Sequence, residues 1–141
     1  MIKALRTQFV IADGARARWV TRSDHADDFV TTMDRKAEPL LHGETGATLE
    51  GAEHYTMPPP EHATREHHAR FARELAEEIN VAARNGGFDR LVVVAPDRTL
   101  AEITQHLKGA ATEKLAGTLA KDLTKTPDHE LMAWLRPLEH G

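Results

Sequence analysis

The sequence of 141 residues predicts a single α/β domain whose mixed sheet is covered by helices. Apolar and polar residues alternate with period two near the N terminus, as in antiparallel strands. A longer segment has the three- and four-residue apolar spacing of an amphipathic helix. Strand and helix patterns then alternate to the C terminus, which is typical of an α/β sheet. Because this length is near the commonest size of one domain, we treat residues 1–141 as one unit.

The first third of the chain predicts a three-stranded antiparallel meander. An apolar run over residues 8–12 is the first strand, and Asp13 with the glycine after it favours a two-residue hairpin turn with positive φ. Arg16 and Arg18 then fall on one face of a second strand, opposite Ala17 and Trp19. A third strand is predicted within residues 28–36.

A long loop is predicted over residues 37–62. It holds several glycines and the run MPPPEH, and three consecutive prolines fit neither a helix interior nor a central strand. A loop of this length in a compact domain is typically functional or disordered. We therefore predict that residues 44–62 are the least ordered interior segment.

The remaining elements alternate between helix and strand. The helical spacing predicts a helix from Thr64 to about Asn85, ended by two glycines. The apolar run over residues 90–95 predicts a strand in the middle of the sheet. Thr99 and Glu102 have the spacing of a capping box for a short helix.

A strand at residues 114–123 and a helix starting at Thr126-Pro127 complete the predicted chain. The order is a three-stranded meander followed by helix, strand, helix, strand and helix. This is the order of ribonuclease H, so we expect a ribonuclease H-like topology.

Composition excludes several classes of function. The chain has no cysteine, and therefore no disulfide, thiolate metal site or thiol nucleophile. A net charge of −4 is unlike the strongly basic chains that bind nucleic acid nonspecifically. No run reaches the roughly 18 apolar residues of a spanning helix. We expect a soluble, cytoplasmic protein without membrane insertion; the sequence does not indicate its oligomeric state.

Three stretches of the chain resemble one protein family. The hairpin VIADGARARWV, the strand LVVVAPDRTLAE and the tail LAKDLTKTPDHEL are similar to the bacterial host attachment proteins, whose name refers to attachment to host cells. That family is itself similar to the middle domain of archaeal and eukaryotic class-one translation release factors. The resemblance spans nearly the whole chain and implies a ribonuclease H-like scaffold.

The resemblance to release factors implies that this chain shares the fold of their middle domain but does not catalyse peptidyl-tRNA hydrolysis. In those factors a Gly-Gly-Gln loop precedes a helix with an Arg-Phe-Ala-Arg-like stretch, which residues 70–73 match here. This chain contains no Gly-Gly-Gln. The group that positions water for peptidyl-tRNA hydrolysis is therefore missing, and the implied partner is the ribosome or a structured RNA.

Asp13 and Asp97 are the candidates for a carboxylate site. With a glutamate of the long helix they could form the acidic cluster that binds two Mg²⁺ in ribonuclease H enzymes. Asp13 precedes a glycine, however, and Asp97 follows a proline before a predicted helix, so a turn and a helix cap account for both. We favour the turn and cap, and predict no catalytic residue.

Histidines and arginines beside the long loop are the other candidates. Metal binding is disfavoured because no two of His54, His62, His67 and His68 have the four-residue spacing of a helical zinc site. We expect neither a metal nor a cofactor, and expect His68 to pack on the apolar arc of the helix. The candidate binding residues are Arg16, Arg18, His62, Arg65, His67 and Arg70.

Ordinary structural roles are an alternative to ligand binding for these arginines. Arg70 precedes Glu74 by one helical turn and so has an ordinary surface partner. Arg16 and Arg18 share one face of a basic strand and are candidates to bind an anion, but a solvated face is the explanation that we favour. We expect a noncatalytic binding protein associated with the ribosome or RNA. The alternatives are a divalent-metal nuclease or hydrolase, and a factor that affects attachment to host cells indirectly.

Overall fold

The computed structural model describes residues 5–23, 28–38 and 61–139. They form one mixed sheet of five strands in the order β3-β2-β1-β4-β5. The strands are β1 (Thr7–Ala12), β2 (Arg16–Arg22), β3 (Phe29–Lys36), β4 (Arg90–Ala95) and β5 (Leu115–Ala120). The first three are antiparallel neighbours, whereas β4 lies parallel to both β1 and β5. The predicted α/β fold is confirmed, and the strand order is compatible with a ribonuclease H-like topology.

Four helices and one 3-10 turn accompany the sheet in the described part of the chain. The helices are α1 (Glu61–Arg84), α2 (Asp97–Gln105), α3 (Ala110–Lys114) and α4 (Met132–Glu139), and the 3-10 turn spans Asp128–Glu130. None of these helices is both long and apolar enough to cross a membrane.

The sheet has a hydrophobic core on each face. On one face, side chains such as Val10 and Val93 pack against α1, α2 and α3. On the other, Ile11 and Val94 pack against the C-terminal segment through residues such as Leu135. Because side chains alternate between the faces of a strand, strands buried on both faces are continuously apolar. The prediction that residues 90–95 form an internal strand is therefore confirmed, with β1 and β5 as neighbours.

The C-terminal end of α1 has the predicted glycine cap. Gly86 adopts φ of 72°, which an L side chain rarely tolerates. Its N–H donates to the carbonyl of Ala83, and the N–H of Gly87 donates to that of Ala82 at 2.9 Å. These two hydrogen bonds are the Schellman motif, which satisfies carbonyls left without partners at a helix end.

Several predicted boundaries are wrong. The capping box at Thr99 does not form, because α2 starts earlier and the extended Pro96 is its N-cap; the Pro96 carbonyl accepts the N–H of Leu100 at 2.8 Å. The strand predicted over residues 114–123 is only β5, preceded by the unpredicted α3. The last helix does not begin at Thr126-Pro127, since a 3-10 turn comes first. Of the predicted loop, residues 61–62 belong to α1 and residues 39–60 lie outside the described residues.

Candidate functional site

The carboxyl ends of β1, β4 and β5 meet at one edge of the sheet, hereafter the carboxyl edge. From β1 the chain turns to β2 on one side, whereas from β4 it passes through α2 to β5 on the other. The connections thus diverge between β1 and β4. In open α/β sheets, ligands bind in the crevice at such a switch point. The carboxyl edge is therefore the first place to look for a site.

Asp13 closes the hairpin at this edge. Its Oδ1 accepts the N–H groups of Ala15 at 2.8 Å and Arg16 at 2.7 Å, while its own N–H donates to the Arg16 carbonyl at 2.9 Å. The interpretation of Asp13 as a turn residue is confirmed. The central residues of the turn are Gly14 and Ala15, however, and Gly14 does not adopt positive φ. The predicted reason for this glycine is therefore wrong.

Gly14 is needed because the His68 ring packs against it. A Cβ added to Gly14 would lie 2.5 Å from both Cγ and Nδ1 of His68, far inside contact distance. Only glycine therefore lets α1 approach the hairpin this closely. His68 is half-buried, as predicted for a packing residue.

The second carboxylate oxygen of Asp13 faces Thr124, beyond the end of β5. The Thr124 hydroxyl lies 3.1 Å from Asp13 Oδ2 and 2.6 Å from Oδ1 of Asp122. Thr124 is buried. Oδ1 of Asp13 therefore holds the turn of the hairpin together, whereas Oδ2 joins the hairpin to the segment after β5.

Asp97 occupies a different position from the predicted cap. It is exposed in the first turn of α2, and the N-cap is Pro96, which has no side chain able to accept a hydrogen bond. The prediction that Asp97 caps this helix is wrong. Among residues 5–23, 28–38 and 61–139, no group of three or more histidines and acids is placed to hold a metal ion.

A cavity of about 560 Å³ lies between residues 65–69 of α1 and the N-terminal half of α2, and we call it the α1–α2 cavity. Its polar lining residues are Arg65, Glu66, His68, Arg98, Thr99 and Glu102. It therefore adjoins the hairpin through His68, which separates it from Gly14. Of the predicted binding residues, Arg65 lies here.

Two guanidinium groups in this cavity have no partner in the described part of the chain. Neither Arg65 nor Arg98 forms a hydrogen bond or ion pair with a described residue. Glu102 lies close to His106, with Oε2 3.5 Å from Nδ1. Guanidinium groups bind phosphate and carboxylate oxygens in a planar, two-pronged geometry. The two glutamates accept hydrogen bonds from hydroxyl and amino groups, so the cavity suits a ligand carrying both phosphate and neutral polar groups.

The first amide groups of α2 add to this chemistry. The intrahelical bonds begin with Leu100, so the N–H groups of residues 97–99 have no acceptor within the helix. Such amides, with the helix dipole, favour an anion nearby. Because Arg98 and Thr99 belong to this turn, the cavity combines their side chains with backbone donors.

Arg18 does not lie on a solvated face. It is 8% exposed, and its guanidinium donates to the carbonyls of Leu123 at 2.9 Å and Thr126 at 2.5 Å and to Asp128 at 2.5 Å. The segment after β5 covers this face of β2, which the local strand pattern does not reveal. Arg18 is thus an internal anchor, whereas Arg16 is exposed and its guanidinium has no described partner.

The electrostatics of this anchor favour an ionised Asp128. Partial burial raises the pKa of Asp128, but hydrogen bonds from the Thr31 hydroxyl and amide, together with Arg18, outweigh it. The pKa therefore lies below its ordinary value of 3.8. Asp128 remains an anion throughout the neutral range and holds the Arg18 guanidinium.

The other predicted binding residues lie along α1. Arg70 is exposed, and the ion pair predicted between Arg70 and Glu74 does not form. His67 is half-buried, with its ring centroid 6.4 Å from that of His68. His62 belongs to α1, but its side chain lies outside the described part of the structure.

Arg98 and Thr99 are two of the lining residues that the sequence patterns do not identify as candidates for ligand binding. A capping box accounts for Thr99 and a strand end for Arg98, so neither pattern points to a ligand. The rule that ligands collect beyond the carboxyl ends of parallel strands would have identified both, since they follow β4 directly.

Comparison with known protein families assigns this chain to a family. Residues 8–135 match the family described as "Protein required for attachment to host cells". No curated protein matches the chain in sequence.

Two solved structures share the fold. The archaeal translation termination factor aRF1 aligns with a TM-score of 0.59 at 12% identity, covering 96% of this chain and 35% of that one. A structure described as "Archaeal protein" gives a TM-score of 0.50 at 12% identity, with 95% and 35% covered. The chain therefore spans about a third of the length of each. At this identity the likeness shows the fold alone.

Proposed function

Because this chain belongs to the family of proteins required for attachment to host cells, and part of an archaeal translation termination factor shares its fold, we propose that it is a noncatalytic binding protein for RNA. We place the contact at the α1–α2 cavity, where Arg65 and Arg98 receive backbone phosphates. The observation that carries this proposal is the presence in one cavity of two guanidinium groups that no described residue pairs with.

The mixed lining of the cavity favours RNA over a simple anion. Glu66 and Glu102 stand beside the two arginines and accept hydrogen bonds from ribose 2′-hydroxyl or base amino groups. A fully ionic ligand such as sulfate gains nothing from these carboxylates and is repelled by them. A nucleotide chain offers phosphates to the arginines and donors to the glutamates.

The release-factor likeness suggests where such an RNA is found. One structural neighbour is a translation termination factor, and we infer that the RNA partner here is ribosomal. The chain has no Gly-Gly-Gln, the feature that its resemblance to release factors ties to peptidyl-tRNA hydrolysis. We therefore propose binding without hydrolysis.

The first test measures RNA binding by the purified protein as a function of salt. The probes are a labelled single-stranded uridine oligonucleotide and a ribosomal RNA hairpin. In the double variant Arg65→Gln/Arg98→Gln, we expect at least about tenfold weaker binding and a salt slope smaller by about 1–2. Arg84→Gln is the matched control, since Arg84 is exposed at the far end of α1 and outside the cavity.

If only net charge matters, Arg84→Gln removes one charge instead of two and loses half as much binding free energy as the double variant; a loss of that size would reject the cavity as the site. A second measurement follows the tagged protein through a ribosome sedimentation gradient. Wild-type protein that travels with ribosomes, and a double variant that stays at the top, are the expected results. Wild-type protein absent from the ribosomal fractions while still binding the hairpin would reject the ribosomal partner alone.

A further inference from the structure

A groove of about 480 Å³ lies between β3 and α1, at a distance along α1 from the cavity described above. Its floor is apolar and includes Trp19, Met33 and Val81. Met33 is 37% exposed and Val81 is 38% exposed, so the floor is open to a partner. We call this surface the β3–α1 groove.

The rim of the groove carries unpaired negative charge. Glu78 is neutralised by Arg35, whose Nε lies 2.9 Å from its Oε1. Glu74 and Glu77 are exposed and have no ion pair with any residue in the described ranges. Arg70 and Arg73, one turn earlier on α1, are close enough for pairs at this spacing but form none. The groove therefore presents, above an apolar floor, two carboxylates that form no ion pair with the described residues.

The groove opens beside an edge strand. Strand β3 is the last strand of the sheet on this side, and among the described residues only β2 pairs with it. The register shifts between Trp19 and Val20 and leaves Thr32 unpaired, so the regular part of the edge runs from Met33 to Lys36. An edge strand offers main-chain donors and acceptors to an incoming strand.

Trp19 adds an unused donor to the floor. The residue is 5% exposed, and its indole N–H is buried without a hydrogen-bond acceptor in the described structure. Buried donors in folded proteins are nearly always paired. This N–H is an exception, and because the ring lines the floor of the groove its signal reports on an occupant.

We propose that the β3–α1 groove binds an extended basic peptide segment of a partner protein. The peptide main chain pairs with β3 from Met33 to Lys36, and a lysine or arginine side chain lies across the floor. Its aliphatic stem covers Met33 and Val81, and its charged head reaches Glu74 and Glu77. Asp34 and Lys36 alternate to the other face of β3, so they do not face this side chain.

Charge complementarity and the strand edge together select this occupant. An acidic or purely apolar segment leaves the two glutamates unpaired, and an acidic one is repelled by them. A helical segment satisfies its main chain internally and gains nothing from the edge of β3. An extended basic segment pairs its main chain with the edge of β3, covers the apolar floor and neutralises the glutamates of the rim.

The test uses the indole N–H signals of the two tryptophans in a nitrogen-proton NMR spectrum. Trp134 lies on α4, on the other face of the sheet, and serves as the internal control. The probe is a capped octapeptide of alternating lysine and valine. We expect a saturable shift of the Trp19 signal and none at Trp134.

Variants separate this proposal from general attraction between charges. Glu74→Gln/Glu77→Gln should weaken binding about fivefold, since two exposed ion pairs are lost. Glu113→Gln removes an exposed glutamate on α3 outside the groove and should leave binding unchanged. An octapeptide of alternating glutamate and valine should not bind.

Three outcomes overturn the proposal: no response of Trp19 to the basic peptide, equal binding of the acidic peptide, or full binding by the double variant. If the Trp19 signal changes with protein concentration alone, the groove is an interface between copies of this chain, and the peptide proposal is again rejected.

Discussion

Gly14 and His68 are the pair of residues whose contact fixes the distance between the first hairpin and α1. The sequence correctly predicts that Gly14 lies in a turn. It suggests that glycine is needed there for positive φ, whereas glycine is needed because a Cβ would overlap the His68 ring. The turn alone tolerates a side chain at this position because φ is not positive. The imidazole of a distant helix excludes one, and no local pattern encodes that contact.

The Gly14→Ala variant should be less stable by about 1–3 kcal/mol, because its Cβ would overlap the His68 ring. Chemical denaturation of the wild type and of three variants, Gly14→Ala, His68→Ala and the double variant, measures the coupling. In the double variant most of the alanine penalty should disappear, since the ring is gone. Strictly additive losses would show that the two residues do not interact in solution.

At the scale of elements, sequence patterns predict long regular segments well and short connecting ones poorly. The strands β1 and β4 are continuous apolar runs, and α1 is long enough to show the helical apolar spacing; these patterns predict all three elements close to their observed positions. Helix α3 has five residues, and the 3-10 turn at Asp128–Glu130 has three. Neither completes enough turns for periodicity to show, so the region between β4 and the C terminus was assigned one helix too few.

At the candidate site, too, the sequence patterns predict some features well and others poorly. Arg65 was proposed from its place beside the long loop, and it does line the cavity. Arg18 was proposed from the basic face of its strand, yet its guanidinium is held by carbonyls at residues 123 and 126. These carbonyls are distant from Arg18 in sequence and belong to an irregular segment. Because backbone carbonyls are present at every residue, no side-chain pattern in the sequence predicts that they bind Arg18.

The role of Asp13 in the hairpin between β1 and β2 distinguishes a binding protein from a nuclease. In Asp13→Asn, the amide Oδ1 still accepts the N–H groups of Ala15 and Arg16, and the Nδ2 group donates to Thr124. We expect a free energy of unfolding within about 0.5 kcal/mol of wild type, compared with a loss of about 1–2 kcal/mol in Asp13→Ala.

The same variant tests for metal-dependent cleavage. We expect no Mg²⁺- or Mn²⁺-dependent cleavage of RNA or RNA–DNA hybrid by the wild-type protein. Cleavage that is present in the wild type and lost in Asp13→Asn would instead identify Asp13 as a metal ligand, because removing one anionic oxygen strongly weakens binding of a hard cation. That result would replace the binding proposal with the nuclease alternative.

At the scale of the whole molecule, Arg18 joins the N-terminal meander to the C-terminal segment. It lies on β2, contacts Thr31 on β3, and binds the backbone and Asp128 beyond β5. Its charge is almost fully buried, whereas the side chain of Asp128 is 41% exposed. A buried guanidinium that loses its carboxylate leaves uncompensated charge inside the protein.

Stability should therefore depend on acid through Asp128. Because the folded-state pKa lies below 3.8, the ionised carboxylate contributes its full stabilisation above about pH 3.8, and this contribution is lost as the pH falls below that value towards the folded-state pKa. Asp128→Asn should lose about 1 kcal/mol at pH 7, a figure reduced for solvent screening. Below pH 3.8 its stability should fall less steeply than that of wild type.

Reversible urea unfolding between about pH 2.5 and pH 7 measures both effects. Asp97→Asn is the control for loss of one negative charge, since Asp97 is exposed on α2 and has no described partner. Parallel acid profiles for the wild type and Asp128→Asn would contradict the role given to this carboxylate.

The span of the Arg18 contacts bears on when the native state can form. Its partners at residues 123, 126 and 128 are separated from it by 105, 108 and 110 positions in the chain. Closing so large a loop costs entropy before any contact repays it, and such non-local closure slows folding. During synthesis, β1 and β2 can pair early, but the face that carries Arg18 stays uncovered until the last segment emerges. A nascent chain thus leaves the Arg18 side chain and the apolar surface beside it uncovered until residues 123–128 have been synthesised, and such exposed surfaces favour aggregation.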